Sequence, residues 1–154
     1  RSTQGRTLFP YTTLFRSAVA RSPFVGITPQ GMLRSRSGTD HRLGLLDAPA
    51  PWWADRAQAV VLSEDEFAHI GHPLAAPGRA VAVTRGEHGC RGWCDDVEVD
   101  LPGIPLDAIA PTGTIGAGDV FASSLFLALA AGRPFADAMD RANRTAAAHV
   151  GGLI

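Results

Sequence analysis

"AVVLSEDEFAHI", residues 59–70, settles the architecture of this chain. Ala59, Val60, Val61 and Leu62 form an unbroken apolar run, the mark of a strand buried on both faces. Ser63 then stands where a helix cap is needed, and Glu66 follows three residues later at capping-box spacing. A short helix should begin there and end near Gly71. "RAVAVT", residues 79–84, is a further strand, apolar enough for the centre of a parallel sheet. Strand, helix, strand with a parallel core is a layered α/β plan.

Working outward, "FVGIT", residues 24–28, reads as a short buried strand stopped by Pro29. Residues 29–51 are rich in Gly, Ser, Arg and Pro without a sustained period, and read as an extended loop or surface excursion. On the other side "RGEHG" makes a turn. "CRGWCDDVEVDLP" alternates weakly, with Val97 and Val99 on one face, as in a hairpin or edge pair. Residues 120–131 are apolar on nearly every side, which predicts a buried helix stopped by Gly132. "RPFADAMDRANRTAAAHV" opens a second helix with Pro134 near its first turn. Phe135, Met139, Ala142 and Ala146 form its inward stripe. No internal repeat or low-complexity tract interrupts this order.

Residues 1–17 stand apart. "TLFPYTTLFRS", residues 7–17, looks like the translation of a sequencing-library adapter and is set aside as an artefact, the alternative being an N-terminal strand. The removal takes three arginines and no acids, leaving 11 basic against 15 acidic residues and a net charge of −4. That mild acidity supports neither a nucleic-acid nor a membrane partner. Residues 18–154 suit one domain or part of one. No apolar run is long enough for a bilayer and no secretory signal is evident, so the expected location is cytoplasmic. Cys90 and Cys94 read as reduced thiols on a strand. His69, His72, His88 and His149 show no metal-ligand pattern, and Trp52 and Trp53 read as a packed surface patch. Every basic side chain is Arg. Without a single Lys the chain has no Walker-type phosphate loop.

The chemistry is concentrated in "PTGTIGAGDVF", residues 111–121. Gly116, Ala117 and Gly118 precede a helix, whose first N–H groups have no intrahelical partner. Absent side chains admit a bulky anion, and the helix dipole adds partial positive charge. Such a site suits the charge of a transferring phosphoryl group. Asp119, in the first helical turn, can accept a proton from an attacking hydroxyl. Those are the parts of an alcohol kinase. The same four residues also suit a tight turn with Asp near a helix cap.

The neighbouring residues tip the balance. "GTIGAGDVF" resembles D-T-x-G-A-G-D-x-F, the C-terminal signature of the PfkB (ribokinase-like) family of carbohydrate kinases, with matches at Thr114, Gly116, Ala117, Gly118, Asp119 and Phe121. The leading Asp of the signature is Gly113 here. "SEDE" resembles the N-x-x-E motif, with Ser63 in place of Asn and Glu66 as its acid. "VTRGEHG" resembles V-T-x-G-x-x-G through Val83, Thr84, Gly86 and Gly89, and "RANRTAAA" resembles the adenine-flanking helix, with Asn143 near the base. The resemblance implies a ribokinase-like α/β fold with a mostly parallel sheet. It implies phosphorylation of a sugar or sugar-like hydroxyl by ATP, with Asp119 as base and Gly116 to Gly118 as anion hole. The nucleotide is expected at Thr84, Gly86, Gly89, Thr114 and Asn143, and magnesium through Glu66. A monovalent cation beside the signature loop is a family feature that Gly113 puts in question. A homodimeric parent is one arrangement compatible with the resemblance.

The resemblance runs from about Phe24 onward. Residues 18–154 are therefore expected to be the C-terminal part of such a kinase, lacking the N-terminal half with its lid and most sugar contacts, and inactive alone. A non-catalytic nucleotide-binding or regulatory protein is the alternative. The substrate sugar is not encoded in the residues present.

Overall fold

The structure is a computed structural model and describes residues 21–29, 34–37, 42–45, 56–70, 74, 76–110 and 113–154. In chain order the strands are β1 (Gly26–Ile27), β2 (Arg34–Ser37), β3 (Arg42–Leu45), β4 (Ala59–Ser63), β5 (Ala80–Thr84), β6 (Cys90–Cys94) and β7 (Val97–Leu101). The helices are α1 (Glu64–Ile70), between β4 and β5, then α2 (Ala117–Ala130) and α3 (Phe135–Val150). Residues 1–17, Trp52, Trp53 and His72 lie outside the described residues.

One five-stranded sheet has the order β1-β4-β5-β6-β7. Strands β1, β4 and β5 are parallel; β6 is antiparallel to both neighbours, so four of the five strands share a direction. Ser63 and Thr84 are paired at the shared carboxyl end of β4 and β5.

The unbroken apolar strands are explained by two cores. Ala59, Val61, Ala80 and Ala82 face α2 and α3, where Phe121, Leu125, Phe135 and Met139 cover them. Val60, Leu62 and Val81 face the other way, against Phe67, Ile70 and Trp93. The helix-facing positions are small because α2 and α3 come close. At Gly92 on β6 a Cβ would stand 2.5 Å from the Val81 carbonyl oxygen and 3.1 Å from both Met139 and Phe135. Buried Arg79 is satisfied by donating to the Ala57 and Leu74 carbonyls, each at 2.9 Å.

Two expectations require correction. Within residues 29–51, read as an extended loop or surface excursion without regular elements, β2 and β3 pair antiparallel, Arg34 opposite Leu45 and Ser37 opposite Arg42. The second concerns α2, expected to be buried all round. It buries Phe121, Ala122, Ser124, Leu125 and Ala128, while Leu127 is 73% exposed. Only the side toward the sheet and α3 is covered; an all-apolar pattern does not say how many sides have a partner.

Candidate functional site

The carboxyl end of β5, the start of α2 and the last turns of α3 surround a cavity of about 820 Å³. Thr84, Gly86, Gly89, Thr114 and Asn143, the five residues expected at the nucleotide, all line it, as do Ala117 and Gly118. The volume falls within the range of small-molecule and cofactor sites, roughly 300–1,000 Å³.

Local chemistry places each of them. Thr84 ends β5, and its hydroxyl donates to the Leu62 carbonyl at 3.3 Å. The chain then turns through a short 3-10 segment, Gly86–His88. Gly86 has φ +58° and Gly89 φ +90°, both in the region that L side chains avoid. A Cβ on Gly89 would also run into the Leu101 carbonyl, and one on Gly103 into that of Glu87. Backbone therefore lies on backbone along this wall. From α3, Asn143 Nδ2 donates to the Pro102 carbonyl at 3.0 Å and ties the helix to the segment leaving β7.

Gly116 caps α2 in the left-handed conformation, φ +79°, and its carbonyl accepts from Val120 at 2.9 Å. Gly118 has neither a positive φ nor a crowded Cβ position; nothing lies within 4 Å of where a side chain would start. Protein packing does not demand a glycine there. Its bareness leaves the first turn of α2, where helix N–H groups lack intrahelical partners, without a side chain at this point of the cavity lining.

Asp119 is exposed and lines a second, shallower groove of about 400 Å³ with Ser123, Leu127, Arg141 and Thr145. Gly118 and Asp119, adjacent in sequence, thus border two separate spaces at the α2 N-terminus. Glu66 is placed differently from the rest. It is only 5% exposed, one carboxylate oxygen accepts from the Ser63 N–H at 2.9 Å, and Ser63 Oγ accepts from the Glu66 N–H at 3.3 Å. That reciprocal pair is a capping box, and Glu66 is not among the residues lining the cavity. Among the described residues no group of three or more His, Cys, Asp or Glu is placed to hold a metal ion.

Sequence reasoning overlooked two parts of the site. Gly103, Ile104, Pro105, Leu106 and Ile109 form one wall, signalled only by a glycine between two prolines in "PGIP". His149 has its Nε2 2.9 Å from the Ile115 carbonyl oxygen, directly behind the loop that opens α2. Cys90 and Cys94 are both free thiols on β6. Burial pushes the Cys90 thiol from 9.0 up to about 11; the Arg85 guanidinium opposes the rise, while Asp100 and Asp140 add to it. Cys94 is also raised, by burial and then by Asp95.

A profile described as pfkB family carbohydrate kinase matches residues 50–152, from ahead of β4 to the end of α3. The chain belongs to the pfkB family of carbohydrate kinases. The match takes in every site residue discussed above. The chain is 35% identical to the ribokinase of Bacillus subtilis (strain 168) over 81 residues, covering 53% of this chain and 27% of that protein. Among solved structures, ribokinase from Thermotoga maritima aligns with TM-score 0.61 at 18% identity, over 88% of this chain and 45% of the other. Burkholderia thailandensis nucleoside kinase, solved with inosine, aligns with TM-score 0.53 at 24% identity, over 63% and 34%. The last two likenesses are of fold. The pfkB-family chain thus spans between a quarter and a half of the length of these relatives. Among its described residues no helix is long and apolar enough to cross a membrane.

Proposed function

We propose that the protein carrying this chain transfers the terminal phosphoryl group of ATP to a hydroxyl of a sugar or of a sugar-like substrate such as a nucleoside. One observation carries the reading. Residues as far apart in sequence as Thr84 and Asn143 converge on a single cavity that Ala117 and Gly118, at the N-terminus of α2, also line, and Asp119 is the next residue along. The nucleotide lies against Thr84, Gly86, Gly89 and Asn143. Amides of Ala117 and Gly118 donate to the phosphoryl oxygens as negative charge develops on them. Asp119, at the mouth of its own groove, takes the proton of the attacking hydroxyl. A magnesium ion, if bound with the nucleotide, would supply charge neutralisation at the phosphates, and such ions need few protein ligands. Glu66, beside the carboxyl end of β4, suits ordering of that ion's water shell better than direct contact, since its carboxylate also serves the α1 cap.

The relative at 35% identity points the same way: it is a ribokinase. Asp119 has a groove but no enclosing substrate wall among the described residues. The 154-residue chain alone is accordingly a nucleotide-binding module without turnover. The decisive variant is Asp119→Asn in the intact parent kinase. We expect kcat to fall by about 10²–10⁴ with ADP affinity nearly unchanged. Near-normal turnover would refute the assignment of Asp119, and sugar-dependent ADP release by the chain alone would refute the second statement.

A further inference from the structure

The loop that opens α2 is clamped from behind by the end of α3. Gly113 is buried, its N–H donates to the Ala110 carbonyl at 2.8 Å, and a Cβ there would run into the Val150 carbonyl oxygen. That oxygen already accepts from the Ala110 N–H at 2.9 Å. Two residues on, the Ile115 carbonyl meets His149 Nε2 at 2.9 Å. A carbonyl can only accept, so Nε2 is the nitrogen that carries the proton. The same nitrogen lies 3.9 Å from the Cβ position of Gly116, which puts the ring beneath the left-handed turn. Ala117 and Gly118, which line the cavity, come next.

The signature's aspartate and a monovalent cation do not fit this arrangement. Position 113 has no carboxylate and no room for one, and the Ile115 carbonyl faces a polarised N–H, which repels a cation. We infer that His149 is a positioning residue that aims the Ala117 and Gly118 amides at the phosphates, and that this loop is ordered without a monovalent cation. The inference rests on the nucleotide reading of the cavity. A histidine in the last turn of α3 grips a carbonyl 34 residues away in sequence, holding by a side chain what an ion would otherwise hold. Either neutral imidazole with its proton on Nε2 or the imidazolium makes this bond.

MgADP binding to the intact kinase, measured by calorimetry, separates the possibilities. In potassium chloride and in tetramethylammonium chloride of equal ionic strength, wild-type affinity should agree within about twofold, while loss of one such hydrogen bond in His149→Ala should weaken it roughly tenfold in both salts. His149→Gln, whose amide can donate to the same oxygen, should recover most of that loss. A merely structural histidine would lower the melting temperature of His149→Ala and leave ADP affinity intact, which would overturn the inference. Wild-type binding that requires potassium overturns it as well, even if His149→Ala proves insoluble. Absence of ADP binding in every salt would remove the nucleotide reading and this inference with it.

Discussion

Two glycines of the cavity wall carry opposite obligations. Gly89 is required by the fold: its φ is +90° and a Cβ would meet the Leu101 backbone. Gly118 is not, since nothing lies within 4 Å of its Cβ position. Gly89→Ala should therefore cost about 2 kcal/mol or more in a urea titration, from positive-φ strain alone. Gly118→Ala should leave stability unchanged or raise it by less than about 1 kcal/mol, because alanine is the better helix former. The same methyl group would crowd the phosphates and weaken ADP by roughly tenfold. Equal ADP affinity in Gly118→Ala would show that the bare amides serve no ligand. The Cys90 thiol makes a second prediction at this scale. Its pKa rises from 9.0 to about 11 on folding, so its stabilising contribution is full below pH 9 and drains away as pH climbs through 11. In that window the unfolded chain releases the proton first. The stability advantage of wild type over Cys90→Ala should shrink by roughly 1.4 kcal/mol between pH 7.5 and pH 10. A constant difference would mean that the thiol is not held protonated.

At the level of elements, the seat of α3 on the sheet is the most demanding contact. Gly92 lets Met139 and Phe135 approach β6, and the Val81 carbonyl stands 2.5 Å from any added Cβ. Backbone oxygens in a ladder cannot step aside as a flexible side chain can. Gly92→Ala should thus destabilise by about 1–3 kcal/mol, read as a lower urea midpoint; an unchanged midpoint would show that the helix can shift away. Elements whose signals are local were legible beforehand. The apolar run of β4, the Ser63–Glu66 box of α1 and the stripe of α3 each lie within a few consecutive residues, and all three are found in place. The glycine motifs converge on one cavity because each ends a strand or opens a helix at the same edge of the sheet. Less legible were features whose partner lies elsewhere in the chain. Strands β2 and β3 are four residues each, too short for a period of two to stand out in "RSRS" and "RLGL". His149 reads as inert because its partner is a backbone oxygen, which leaves no trace in sequence. Glu66 was legible twice over, as a cap and as a motif acid, and its cap is the role that contacts within the chain display.

For the whole molecule, the unanswered requirement is cover. The two cores account for both sheet faces over β4 and β5, yet large apolar side chains remain in water on the α2 side. Leu127 is 73% exposed and Ile115 75% exposed, the first in the same groove as Asp119 and the second in the loop that leads to it. This chain spans only 27% of the length of the Bacillus subtilis ribokinase. Isolated in solution, the apolar groove has water or another copy of the chain as its neighbour, and apolar contact is favoured at roughly 25 cal/mol for each Å² removed from water. The 154-residue chain should therefore associate as its concentration rises, seen in sedimentation velocity as a shift beyond the 16.2 kDa monomer. Leu127→Glu should restore the monomer while leaving the unfolding free energy from a urea titration within about 0.5 kcal/mol of wild type, since an exposed position contributes little to folding. If the chain sediments as a monomer throughout, or if Leu127→Glu associates as wild type does, the exposed face of α2 is not what drives contact and the groove beside Asp119 is tolerated open.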